Sequence, residues 1–305
     1  MPSRAPLPRW PTLTLEREFD GRVCGVDEAG YAPIAGPVFA AAVVLPAGPK
    51  PRRLRGLTDS KLLTADARER FHDVIRELAD VGVGVASIDE IDRLNVYHAD
   101  MLAMRRAVAN LDAPPDAALV DGRGAPALAC KVKTVVKGDR RSLSIAAASV
   151  IAKVERDRLM RELAREHPAY GWERNAGYGT AEHYLALLRH GATGHHRRSF
   201  APLNTLFATD ALPFRDYRFG PIAGCPDIAA LDVLELRRDL HAVFDANGWH
   251  VGEVRSLRGG WTFHATGYDA DGVPVTGGGP CAGSHGERLD APDRGELRLL
   301  LERRL

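Results

Sequence analysis

The residues with the clearest chemical potential are four acids set beside small residues. Asp27 and Glu28 precede Ala29 and Gly30, Asp121 precedes Gly122, and Asp139 follows Gly138. Carboxylates carried to the mouths of neighbouring strands repel one another and resist ionisation unless a divalent cation lies between them. Hard oxygen donors without imidazole or thiolate favour magnesium or manganese over zinc. Two such ions roughly 4 Å apart activate a water and stabilise the leaving oxygen in phosphodiester cleavage. Taken singly, the same residues have a plainer reading, because Asp-Gly at a strand end is a common turn.

The elements that must position these acids follow from the hydrophobic pattern. Residues 22–45 read as strand, loop and strand: Val23 to Val26 runs into the first two acids, and 39–45 is almost continuously apolar. Between them, 29–37 holds two glycines, two prolines and three alanines, which suits a tight return. Phe71, Val74, Ile75 and Leu78 give 64–79 a helical stripe with Thr64 as N-cap. A strand over 81–88 and a helix from 88 to 108 come next. Short strands at 117–120 and 132–136 lead into Asp121 and into Lys137–Gly138–Asp139, and 144–166 is a long helix with an alanine-rich start. This alternation predicts an α/β domain whose sheet is partly parallel and partly antiparallel.

The whole chain has 305 residues, 45% hydrophobic and 27% charged, with a net charge of +1. Such a composition excludes a collagen, a disordered tail and a small disulfide scaffold. Charges and glycines interrupt every apolar run well short of the roughly 20 residues of a membrane span. The first eleven residues lack the apolar core of a signal peptide, so a cytoplasmic protein is expected. Cys24, Cys130, Cys225 and Cys281 form no CxxC pair, which argues for reduced thiols over a zinc or disulfide framework. The near-zero charge hides an asymmetry: residues 211–305 contain 11 Arg, no Lys and 14 acids, while all six lysines lie before Asp210.

Seven ordered segments decide between the turn reading and the metal reading. VCGVDEAGYAPIAGPV, LTDSKLL, IDRLNVYHADMLAMRRAV, LVDG, VVKGDRRSLSIAAASVIAKVERDRLM, AGYGTAEH and HGATGHHRRSF together resemble ribonuclease HII in order and spacing. The resemblance covers roughly 22–206, about two thirds of the chain. It implies an RNase H-like fold, with a mixed central sheet flanked by helices. It also implies an endonuclease that cuts the RNA strand of RNA–DNA hybrids, or ribonucleotides embedded in duplex DNA. On that resemblance Asp27, Glu28, Asp121 and Asp139 are the metal-binding and catalytic carboxylates for Mg2+ or Mn2+ in a two-ion site. A metal-bound water would be the nucleophile, the products would carry 5′-phosphate and 3′-hydroxyl ends, and no covalent intermediate would form. Tyr178 of the GYGT segment would pack on the sugar at the RNA-to-DNA junction. Lys61, Ser144 and Lys153 would face phosphates, although surface charge and an N-cap explain them as well. Asp157 matches a family acid, yet between arginines on a helix it reads as an ion-pair partner. The HHRRSF element reads as a closing structural turn anchored by Phe200, with a basic nucleic-acid patch as the other possibility. The expected partner is nucleic acid, with neither a membrane nor an obligate protein.

The pattern breaks in two places. Where the family has a GRG loop that reads the ribonucleotide 2′-hydroxyl and its phosphate, this chain has Gly30, Tyr31 and Ala32. Tyrosine cannot replace the arginine's cation, and alanine has less backbone freedom than glycine. The loop therefore predicts either a hydrolase with altered junction specificity, in which Tyr31 stacks on a base or sugar, or a paralogue that binds nucleic acid with little or no catalysis. A metal-dependent phosphatase or phosphotransferase for small substrates is a third reading, requiring a closed pocket. The second break is length. The expected organisation is an extension over 1–21, a catalytic domain over 22–208, a linker over 209–227 and a small α/β appendage over 228–305. In that appendage 228–246 reads as helical, 250–255 and 261–266 as a hairpin with Arg255, Arg258 and Trp261 at its tip, and 296–305 as a final helix. It would act as a structural cap or as a duplex-holding module, and its net charge of −3 argues against a general electrostatic clamp.

Overall fold

The computed structural model describes residues 10–201, 203–206, 218–219, 222, 225–229, 231–256, 260–269 and 274–303. Most of the expected linker, and Arg258 at the expected hairpin tip, lie outside the described residues. The chain divides into two compact units, Met1–Tyr178 with Gly194–Ser199, and Gly179–Thr193 with Phe200–Leu305.

The first unit is built on a five-stranded sheet of β1 (Val23–Ala29), β2 (Val38–Val44), β3 (Asp80–Ala86), β4 (Ala117–Asp121) and β5 (Lys131–Val135), in the order β3-β2-β1-β4-β5. β1, β2 and β3 pair antiparallel, whereas β4 and β5 run parallel to β1. The sheet is therefore mixed, as the alternating pattern predicted. Its helices are α1 (Ala65–Leu78), α2 (Ile88–Leu94), α3 (Val96–Ala109), α4 (Leu143–Glu166) and the single turn α5 (Trp172–Asn175).

Glycine and alanine let the helices approach the sheet closely. A Cβ on Gly25 of β1 would lie 2.2 Å from the Ile145 nitrogen, so α4 crosses β1 at a point where only glycine fits. Gly82 and Gly84 of β3 meet the Ala107 and Ala103 carbonyls of α3 in the same way. Gly84 and Gly82 pair with Ala40 and Ala42, while Ala41 and Val43 belong to the core shared by α1 and α4. Strand alternation thus gives one face of the sheet to α3 and the other to α4 and α1. Thr64 caps α1, as expected, by accepting from the Ala67 amide. Ser87 and Glu90 form a reciprocal capping box on α2.

The segment before β1 is part of this unit. Leu15 is buried, and the Glu16 carboxylate accepts from the Ser144 amide and from the hydroxyls of Ser142 and Ser144. An acid there offsets the partial positive charge at the N-terminus of α4.

The second unit contains α6 (Ala181–His190), α7 (Leu203–Leu206), an antiparallel sheet of β6 (Asp232–Arg237), β7 (Leu240–Phe244), β8 (His250–Ser256), β9 (Trp261–Tyr268), β10 (Pro274–Thr276) and β11 (Arg288–Leu289), and the helix α8 (Arg294–Glu302). The hairpin of β8 and β9 and the last helix agree with the expectation. The helix expected over 228–246 is absent, because that segment forms the β6–β7 hairpin around the turn residues Arg238 and Asp239. Its apolar residues satisfy both the helical and the alternating period, and the charged break between two short runs is the turn. Leu297 and Leu301 of α8 join Val243, Val251, Val254 and Phe263 in a core, so the appendage is a sheet carrying one packed helix. Arg255 pairs with the buried Glu253, and Trp261 packs beside that core. No helix of the described chain is long and apolar enough to cross a membrane.

Candidate active site

The four acids meet at one end of the first sheet because β1 and β4 are parallel neighbours. The ladder pairs Val26 with Val120, so Asp27 and Asp121 follow at the same end. Asp139 arrives from the turn after β5, where Lys137 takes a left-handed conformation (φ 56°) and the Gly138 amide donates to Asp121 Oδ1 at 2.6 Å. Asp27 and Glu28 are consecutive on a strand and leave on opposite faces, Asp27 on the side of α4 and Glu28 on the side of α3.

All four carboxylates line a cleft of about 440 Å3, together with Gly30, Tyr31, Ala32, Lys61, Lys153 and Tyr178. Ser144 does not belong there. It is fully buried in the first turn of α4, where Ser142 is the N-cap, and its hydroxyl donates to Glu16, so it cannot face a phosphate. The serine of α4 that does reach the cleft is Ser149; its hydroxyl lies 2.9 Å from that of Ser60, which also lines the cleft, and ties the DSK turn to α4. Asp157 pairs with Lys153 at 2.5 Å, as its helical setting suggested.

Electrostatically the cleft is strained. Burial, then the neighbouring Glu28, Asp121 and Asp139, hold the Asp27 carboxyl well above the usual range; only 5% of that residue is exposed. Burial raises Glu28 and Asp121 too, with Asp121 adding to the rise of Glu28. Asp139 is pushed up to about 7 by burial and by Asp59 and Asp121. Lys61 is exposed; the desolvation it does feel works against its charge, but Asp59, Asp27 and Asp139 outweigh it and hold its ammonium above the ordinary value. Among the described residues, none of the four carboxylates has an ion pair with a side-chain cation within 4.0 Å. Four hard oxygen ligands that repel one another, with the Lys61 charge nearby but outside ion-pair distance, fit a divalent ion.

Two further acids surround this group. Asp59 caps the 3-10 turn Ser60–Leu62 and interacts with Asp139. Asp100, on the buried face of α3, is pushed up to about 8 by burial and by Glu28, and its Oδ1 has no hydrogen-bond partner.

Two buried arginines hold the loop after β1. Arg197 donates to the carbonyls of Gly30, Tyr31 and Gly36, and Arg156 to those of Ala35, Pro37 and Ala176. Burial lowers them to about 9 and about 10, so both stay charged at neutral pH. The HHRRSF element is thus anchored in this unit by buried His196 and Arg197. Gly30 has φ +97°, and a Cβ there would lie 2.1 Å from Arg156 Nε, so this glycine is required. Ala32 is not in the positive-φ region, and alanine is accommodated. Tyr31 and Tyr178 expose 40% and 45% of their surface at the rim.

This arrangement has relatives. The ribonuclease HII family model matches residues 24–203, and the ribonuclease HII of Rhodospirillum rubrum is 57% identical over 208 residues, 67% of this chain and 94% of that protein. The chain belongs to the ribonuclease HII family. That of Granulibacter bethesdensis is 56% identical over 201 residues, 65% of this chain and 92% of its own length. Among solved structures, the ribonuclease H2 of Pyrococcus horikoshii aligns with a TM-score of 0.54 at 25% identity, covering 64% of this chain and 99% of that one. As a ribonuclease HII family member, the protein is a metal-dependent endoribonuclease of the H type, a class that cleaves RNA in RNA–DNA hybrids.

Proposed function

We propose that the cleft hydrolyses the RNA strand of RNA–DNA hybrids, or the strand at a ribonucleotide embedded in duplex DNA, leaving 5′-phosphate and 3′-hydroxyl ends. Asp27, Glu28, Asp121 and Asp139 would hold two Mg2+ or Mn2+ ions. When bound, such ions lower the pKa of water and offset charge on the leaving oxygen. The convergence of four unpaired, mutually repelling carboxylates from β1, β4 and the turn after β5 carries this reading.

The chain's own side chains supply binding and orientation. Lys61 brings positive charge to the rim, where a nucleic-acid backbone passes, and Lys153, paired with Asp157, is a second ammonium donor there. Tyr178 offers an exposed ring on the turn formed by Ala176 and Gly177, both at positive φ, as a face for the sugar at the junction. Tyr31 stands where the family has an arginine. Burial and the nearby Asp100 and Glu28 raise its phenol above the ordinary value, so it is a neutral hydrogen-bond donor at physiological pH. A cation that would grip phosphate is replaced by a ring that can stack on a base or sugar, and this supports altered junction specificity.

The test is cleavage, in Mg2+ and in Mn2+, of three duplexes: one with a single ribonucleotide, one with four consecutive ribonucleotides, and a full hybrid. Cutting of at least one, with a preference among them that Tyr31→Arg alters, is expected. Tight binding of the duplexes without cleavage under any condition would instead establish the non-catalytic reading.

A further inference from the structure

A second group of metal-ligating side chains lies outside the cleft. Glu166 ends α4, His167 follows it, and His195 comes from the segment Gly194–Ser199. One ligand atom from each lies within 4.8 Å of the other two. The imidazole centroids are 5.3 Å apart.

Both rings are held in place. His167 and His195 each make edge contacts with Trp172, at 5.6 and 6.0 Å, and Trp172 is 1% exposed. The backbone is fixed as well: the His167 amide donates to the Leu163 carbonyl, and the His195 carbonyl accepts from the Gly36 amide at 2.8 Å.

We infer that Glu166, His167 and His195 form a metal site for a borderline transition ion of the zinc class, separate from the all-oxygen cleft. Two imidazoles and one carboxylate, with the fourth position open to water, suit tetrahedral zinc and are a poor set for magnesium. The bound ion ties the end of α4 to the segment that carries Arg197. Arg197 holds the Gly30, Tyr31 and Gly36 carbonyls, so occupancy steadies the loop that borders the cleft. The site does not depend on the proposed substrate, since none of its ligands lines the cleft.

The experiment uses tag-free, full-length protein with the cleft saturated by millimolar Mg2+. Zn2+ is titrated against a chromophoric chelator, and the zinc complex is examined by zinc K-edge X-ray absorption. Expected are one tightly bound equivalent, imidazole scattering from two rings, and a weakening of about tenfold or more in Glu166→Gln and in His167→Gln. Because Glu166 is exposed, Glu166→Gln keeps the fold and decides the matter even if His167→Gln misfolds. Zinc is also expected to slow hydrogen exchange of the Gly36 amide in the parent protein but not in Glu166→Gln. A spectrum without imidazole, or zinc affinity unchanged by Glu166→Gln, overturns the site. Unchanged exchange at Gly36 overturns the tie.

Discussion

A carboxylate whose pKa rises on folding destabilises the fold that holds it once it is ionised, and Asp139 allows the size of that effect to be worked out. Its pKa rises from the ordinary 3.8 to about 7, first through burial and then through Asp59 and Asp121. A rise of that size corresponds to about 4 kcal/mol at most. Solvent screening of a part-exposed group roughly halves this, to about 2 kcal/mol. A carboxyl raised on folding binds its proton more tightly in the folded state. The penalty is therefore absent below about pH 4, grows as pH rises from there to 7, and is complete above it. Asp139→Asn removes the titrating group. In EDTA at pH 8 the variant should be more stable than the parent by about 2 kcal/mol, and at pH 4 the two should agree. In saturating Mg2+ the order should reverse, because the variant lacks one of the four carboxylates proposed to hold the ion. Urea unfolding followed by hydrogen exchange of the β1 amides reads the sheet that holds the site. If Asp139→Asn instead weakens the metal-free protein at pH 8 by about 1 kcal/mol or more, the carboxylate is satisfied by the protein and the argument fails.

Other perturbations test separate links. Arg197→Met removes three charge-assisted bonds to buried carbonyls and should cost about 3 kcal/mol or more in urea melts; a loss under about 1 kcal/mol would show that the loop does not need this clamp. Gly25→Ala places a methyl against the α4 backbone at 2.2 Å and should destabilise by about 2–3 kcal/mol or abolish soluble expression. A crystal structure of that variant with α4 unmoved would contradict the packing described. Tyr31→Arg should lower KM for a ribonucleotide-containing duplex about tenfold with little change in kcat, through regained phosphate contact. An unchanged KM would mean that residue 31 does not govern recognition.

Much of the site was legible because strand ends announce themselves. A run such as Val23–Val26 that stops at Asp27, or 117–120 that stops at Asp121, places an acid at one end of a sheet, and only the parallel pairing of β1 with β4 was needed to join them. The phase of α4 was not legible. Residues 143–152 are all buried, with no polar face to fix the rotation, so Ser144 and Ser149 could not be told apart. Asp100 was hidden for the opposite reason: a lone acid on a helix reads as solvated, and only the fold turns it toward Glu28. His167 and His195 are far apart in sequence and meet because the Gly194–Ser199 segment returns to the end of α4. The false helix over 228–246 shows the limit of periodicity in short apolar runs. There a two-residue turn, Arg238–Asp239, outweighed the helical spacing.

The most direct test of the central claim is anomalous diffraction from a crystal soaked in Mn2+. The account predicts two manganese ions in the cleft, coordinated among Asp27, Glu28, Asp121 and Asp139. A cleft that stays empty at saturating Mn2+, with the four carboxylates turned to protein partners, would contradict it.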